Sequence, residues 1–422
     1  MNTIHREAPV TGIFTPNAGK EAPERFIPNA PIREYDGYIC PNDDRRARAL
    51  GDQLAAQVQK NRIADFERTE EYCHQHGETN PDQMVHVTTF LHLDGVFYMT
   101  YYANTSTAAE DPLMQECRLA FCPDDRPEDM TIVTVQKAGD MLDGRKIDAV
   151  YDTILLYKGG DELYLLWTAS ADGEYYRFYC VYDRATNTLG PVRPNRFRVG
   201  DTVNDFSMTG IVNALSAQGL PHKHMFADIG IMQKLTTREE NGELWYYTGA
   251  YSGFLNCIIR SRDFITWEYV AEPDFLNLSQ WENAVYVWGD RCYYFVRQYD
   301  CQQGFLTCYD LETGTWAAPF LIRDTQSRSD FIEYQGELYL IHAPVDRNGF
   351  GIMHIDRETL KNSRPVAVAD MKESCFYPFA RVEGDTVYMS YTVDRKHVRL
   401  THFPAQALIR EDEPEDKASG MQ

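Results

Sequence analysis

Six residues suited to acid–base or charge-recognition chemistry stand at matching places in the 422-residue chain: His86, Asp152, Asp228, Glu282, Arg328 and Tyr377. Five of them lie eleven or twelve positions ahead of an aromatic anchor, namely Tyr98, Tyr164, Tyr293, Tyr339 and Tyr388. Asp228, in Phe226-Ala227-Asp228, takes the same place before a longer hairpin that leads to Trp245. Carboxyls in such a set suit cleavage of a glycosidic bond: one carboxylic acid protonates the leaving oxygen, and a second carboxylate activates water or attacks carbon. Converging acids also raise one another's proton affinity, which keeps a donor protonated. We therefore expect Asp152, Asp228 and Glu282 to form the catalytic set. Arg328 is expected to hold a substrate carboxylate, such as a uronate, by a forked contact. His86 is expected to act as a base or orienting donor, with Tyr377 and His224, the end of Pro221-His222-Lys223-His224, as further substrate contacts. The simpler explanation is that strand starts are polar where they meet solvent. No His-x-x-x-His or paired Cys occurs, so neither a transition-metal site nor a cofactor is expected.

What positions these residues is a phrase repeated six times: a turn with Gly, often beside an acid, followed by an aromatic-rich strand. The copies include Asp94-Gly95-Val96-Phe97-Tyr98, Gly242-Glu243-Leu244-Trp245 and Gly336-Glu337-Leu338-Tyr339. The anchors are spaced 66, 81, 48, 46 and 49 residues apart, and the last three intervals match one propeller blade. Alternating apolar and aromatic runs around a central Gly read as β-hairpins. A lone four-stranded blade cannot bury both faces, whereas a closed circle of blades can, and it protects the edges. The expected fold is all-β: a six-bladed β-propeller, with five or seven blades compatible with the longer intervals, plus an N-terminal helical extension.

Residues 1–83 are expected to be a wrap with one amphipathic helix packed on the propeller. Pro41-Asn42-Asp43-Asp44 starts that helix, and Leu50, Leu54, Val58, Ile63 and Phe66 carry it to about Glu71. Residues 84–409 are the propeller and 410–422 a solvated tail. The stretch from Asp205 to His224, long for a connection, is expected to be a lid over the channel mouth. The formal net charge of −22 argues against nucleic acid and anionic membranes as partners. The amino terminus lacks the apolar run of a signal peptide, so the ten cysteines are expected reduced and the protein cytoplasmic. Oligomeric state is not fixed by the sequence.

Ser261-Arg262-Asp263-Phe264-Ile265-Thr266-Trp267 resembles the Asp-box turn of sialidase-type propellers, one residue short of it, and equally the Ser-x-Asp-x-x-x-Trp turn of arabinanase- and invertase-type glycoside hydrolases. Related turns begin at Asp183, Asp310 and Asp356. With the six-fold phrase, residues 84–409 are similar to this superfamily of carbohydrate-active propellers. The resemblance implies a carbohydrate substrate and a glycoside hydrolase. A polysaccharide lyase using His86, Tyr377 and Arg328, or a non-catalytic sugar-binding propeller, are the alternatives. The Phe-Arg-Ile-Pro motif that carries the first of three carboxylate-binding arginines in sialidases is absent, so sialic acid is not implied.

Overall fold

Each repeated phrase joins the first and second strands of a sheet. In the first copy Asp94 and Gly95 have φ of 52° and 76°, the left-handed pair that matches strand twist in a two-residue hairpin. The computed structural model describes residues 4–16, 35–220, 229–252, 255–273, 280–298, 303–344 and 346–410. Among these the strands form six main sheets. Their first strands are Met84–Leu93, Arg145–Tyr157, Ile229–Ile231 continued by Thr236–Glu240, Gln280–Trp288, Gln326–Tyr334 and Cys375–Glu383. Each sheet packs on the next, and the sixth packs back on the first. The core lies between neighbouring sheets; Trp167 and Phe178, for example, fill the gap between the first and second.

The N-terminal segment runs round the outside. His5–Arg6 pairs in parallel with Thr188–Leu189 of the second sheet, and Tyr38–Ile39 with Leu321 and Ile322 of the fourth. Helix α1, Arg45–Lys60, is capped by Asp44, whose carboxylate accepts from the Arg46 and Ala47 amides. Leu54, Ala55 and Val58 pack with Ile332, Ala367 and Phe403 of the fifth and sixth sheets. A Cβ on Gly51 would lie 1.8 Å from the Val368 carbonyl oxygen, so only glycine permits this approach.

The helix stops earlier than its apolar spacing suggests. Arg62–Asp65 is instead the fourth strand of the last sheet, antiparallel to His397–Pro404. The open edge of that strand offers hydrogen bonds that outweigh the helical spacing of Ile63 and Phe66. An N-terminal strand thus completes a sheet made from the C-terminal end. Arg399 to Asp65 (3.0 Å) and His397 to Glu67 (2.7 Å) pin it. A short helix α2, Glu70–His76, then packs on the first sheet, where the Tyr72 hydroxyl accepts from the Ile132 amide.

The long insertion also differs from expectation. Thr202–Asp205 is a strand, and Met208–Ala217 is a helix, α3, capped by Ser207. Ile211, Ala214 and Leu215 are buried with Phe197 and Trp267 at the outer edge of the third sheet. This apolar face anchors residues 205–217 to the rim, so they form no lid; residues 221–224 lie outside the described residues. In the Asp-box-like turn, Asp263 accepts from the Ile265 and Thr266 amides, and Ser261 donates to the Thr266 carbonyl. Trp267 is fully buried, as a packing role requires. Nine of the ten cysteines fall in the described residues and all are free thiols. No helix among the described residues is long and apolar enough to cross a membrane.

Candidate active site

In five of the six first strands the pairing register breaks at the residue picked out by spacing. The shifts fall between His86 and Thr89, Tyr151 and Ile154, Gln280 and Asn283, Gln326 and Asp330, and Phe376 and Phe379. Such bulges re-aim side chains and recur beside active sites. Here they carry left-handed backbone at non-glycine residues: Val87, Asp152, Ser327 and Tyr377 have φ of 50°, 51°, 76° and 55°. That strain is held by the surrounding sheet.

The bulges bring His86, Asp152, Glu282, Arg328 and Tyr377 together. Asp228 and His224 lie outside the described residues. Arg328 Nη2 donates to Asp152 Oδ1 at 2.5 Å and to Glu282 Oε1 at 3.1 Å, and its Nε reaches the same Glu282 oxygen at 3.3 Å. The second Asp152 oxygen accepts from Arg177 at 3.1 Å, and the second Glu282 oxygen accepts from Arg297. The result is a buried row of alternating charge: Arg177, Asp152, Arg328, Glu282, Arg297. Gly230 makes room for it, since a Cβ there would sit 2.4 Å from Asp152 Oδ2.

This geometry revises several expected roles. Arg328 is 1% exposed and committed to two carboxylates, so it has no free fork for a substrate. Burial disfavours the charge on Glu282, yet Arg328 and Arg297 outweigh it and hold its carboxyl below the usual carboxylate range. Glu282 is therefore a base or a charge stabiliser, not a proton donor. Asp152, 2% exposed between two guanidiniums, is likewise placed to hold other groups. His86 stacks flat on Tyr377 (4.6 Å between centroids, 14°). Burial and the charges of Arg395, Arg328, Arg347 and Arg297 push its proton affinity well down, so its imidazole is neutral and braces the tyrosine ring.

Tyr377 is the member of the set that is not fully buried. Glu282 and Arg297 act electrostatically on its hydroxyl, and the Arg328 guanidinium lies 4.9 Å from its ring centroid. Burial, then Glu282, raise its phenol above the usual value, so it rests protonated. Around it stand groups that spacing did not reveal. Arg347 and Arg395 flank Phe376 at 5.2 and 5.1 Å from its ring centroid. Glu110, on the connection after the second strand of the first sheet, bonds Arg395 at 2.7 Å and accepts from the Tyr102 hydroxyl at 2.5 Å. Among the described residues, the buried Nε atoms of Arg297, Arg347 and Arg395, and Nδ1 of His86, have no hydrogen-bond partner. Arg297 alone had a sequence signal: it faces Glu282 from the next strand, fifteen residues on.

Solved structures share this architecture. Trypanosoma rangeli sialidase matches with a TM-score of 0.51 at 14% identity, over 76% of this chain and 54% of that one. The Hadza microbial sialidase Hz136 matches with a TM-score of 0.56 at 11% identity, over 77% of this chain and 66% of that one. The fold is the sialidase-type β-propeller. The expected resemblance to carbohydrate-active propellers is thus met by the structural neighbours. The present chain spans about half to two thirds of these two sialidases. No protein-family model matches the chain, and no curated protein matches it by sequence.

Proposed function

We propose that this chain is a glycoside hydrolase acting on an acidic sugar, with its centre at one mouth of a six-bladed ring and Tyr377 as nucleophile. The observation that carries the reading is Tyr377, the half-buried member of the cluster, set beside Glu282 and the Arg328 guanidinium at a mouth rich in guanidinium groups. A tyrosine backed by a carboxylate can replace the usual carboxylate nucleophile of a glycosidase. As Tyr377 Oη bonds to the anomeric carbon, its proton passes to Glu282, and the glycosidic C–O bond breaks with its electron pair leaving on oxygen. Solvent at the exposed mouth delivers a proton to that oxygen. Water then releases the sugar, with Glu110 as base and Glu282 returning the proton to Tyr377.

The charge pattern supports an anionic substrate. The chain carries a net charge of −22, yet among the described residues Arg297, Arg328, Arg347, Arg395 and Arg177 gather at this mouth with Glu110, Asp152 and Glu282. Arg347 and Arg395, not Arg328, are placed for a sugar carboxylate. Fluorogenic sialosides and uronides, compared with neutral glycosides, test the reading. Turnover of an acidic glycoside that Tyr377→Phe abolishes in a folded protein supports it. Turnover confined to neutral glycosides, or undiminished in Tyr377→Phe, rejects it. An unsaturated, ultraviolet-absorbing product would assign the chain to the lyases.

A further inference from the structure

The alternating row raises a chemical difficulty for the proposed centre. Glu282 has to take a proton from Tyr377, but a carboxylate gripped by two arginines is a poor base. Arg297 contacts one oxygen, from the second strand of its own sheet, and Arg328 contacts the other, from the fifth sheet. Arg347, also of the fifth sheet, adds a further positive charge, and Tyr377 approaches from the sixth. Left so, the carboxylate would be over-stabilised. Asp152, from the second sheet, changes the balance. It competes for the same Nη2 atom of Arg328, and its contact is the shorter, 2.5 against 3.1 Å.

We infer that Asp152 and Arg328 are positioning residues: by dividing one guanidinium between two carboxylates, they set how readily Glu282 accepts the proton of Tyr377. Asp152 thereby enters the reaction without touching substrate. Three features support a dedicated arrangement over incidental ion pairing. Both residues sit in bulges with left-handed backbone at Asp152 and Ser327, so strain is tolerated to aim them. Gly230 leaves the space that Asp152 Oδ2 occupies. Arg177 holds Asp152 from behind at its carboxylate (3.1 Å) and its carbonyl (2.7 Å), and is itself tied to Thr168 at 2.8 Å, so the competitor cannot swing away. The inference rests on the Tyr377–Glu282 reading of the site, but its central quantity, the proton affinity of Glu282, is measurable without substrate.

The two residues act in opposite senses, which separates tuning from ordinary damage. In Asp152→Asn the competitor loses its charge and Arg328 passes to Glu282, so Glu282 should titrate at lower pH. In Arg328→Met one of its two cations is gone, and it should titrate higher by about one pH unit or more. Arg328→Lys should fall between parent and Met, because a point charge replaces the fork. Titration of protein labelled with 13C at the glutamate side-chain carboxyl, with the Glu282 resonance assigned by its loss in Glu282→Gln, reads this directly. If the parent cleaves an acidic glycoside, the acid limb of its kcat profile should move the same way in each variant. Opposite displacements in Asp152→Asn and Arg328→Met support the inference. Displacements of the same sign, or none in folded variants, overturn it. Opposite displacements of the carboxyl titration without turnover of any acidic glycoside would uphold the coupling and reject the hydrolase reading.

Discussion

The channel holds a second buried ion pair whose removal tests the electrostatic reasoning independently of any activity. Lys234 Nζ lies 3.0 Å from Asp330 Oδ2, donates to the Ala380 carbonyl at 2.6 Å and sits 5.0 Å from the Phe379 ring centroid. Asp330 is 1% exposed and also accepts from the Ala380 amide at 3.0 Å. Burial raises the Asp330 carboxyl above its usual range, although Lys234 pulls it down. Lys234→Met removes that compensation and strands a carboxylate, which costs about 3–5 kcal/mol at neutral pH. Asp330 already has a raised folded-state proton affinity, so its contribution to stability is present at low pH and lost as pH rises through the folded value. Without Lys234 that value rises further. The deficit of the variant should therefore be greatest near pH 7 and shrink as pH falls toward the ordinary carboxylate range. Urea unfolding followed by tryptophan fluorescence, at several pH values, gives the midpoints and slopes. The double variant Lys234→Met/Asp330→Leu should recover most of the loss, because it leaves no buried charge. A single variant as stable as the parent at pH 7, or a deficit that grows on acidification, would refute the reasoning.

Trp267→Ala should destabilise the fold by about 3–5 kcal/mol through loss of a fully buried ring, read as a lowered unfolding midpoint. Arg347→Ala should raise KM for an acidic glycoside more than it lowers kcat and leave the melting temperature nearly unchanged. Gly249→Ala should destabilise, since the new Cβ would fall 1.6 Å from Asn283 Oδ1; calorimetry checks this. His397, whose proton affinity is raised by its bond to Glu67, contributes stability below the ordinary histidine range that is lost as pH rises through its folded value. The protection of the residue 62–65 amides, taken relative to their intrinsic base-catalysed exchange, should fall over that interval in the parent and stay level in His397→Ala.

The repeated hairpin phrase was legible because its cause is local. A left-handed Asp-Gly or lone Gly turn between alternating strands imposes its own register, so strand starts could be counted back from Tyr98 or Tyr339. The turns at Ser261, Asp310 and Asp356 were legible for the same reason: each side chain bonds backbone within a few residues. The helix end at Lys60 and the strand at Arg62–Asp65 were not, because the partner edge lies some 340 residues away in sequence. The anchoring of α3 on the rim was equally hidden, since its apolar face meets residues of two different sheets.

At the site, sequence determined which residues gather, and tertiary structure decided what each can do. Spacing placed His86, Asp152, Glu282, Arg328 and Tyr377 at equivalent strand positions, since strand geometry is periodic and the hairpins fix its phase. Whether a carboxyl gives or takes a proton depends on charges within a few ångströms, and those come from other sheets: Arg177 and Arg328 on Asp152, Arg297 and Arg328 on Glu282. Proton affinity is a property of that assembled field, which no spacing along the chain encodes.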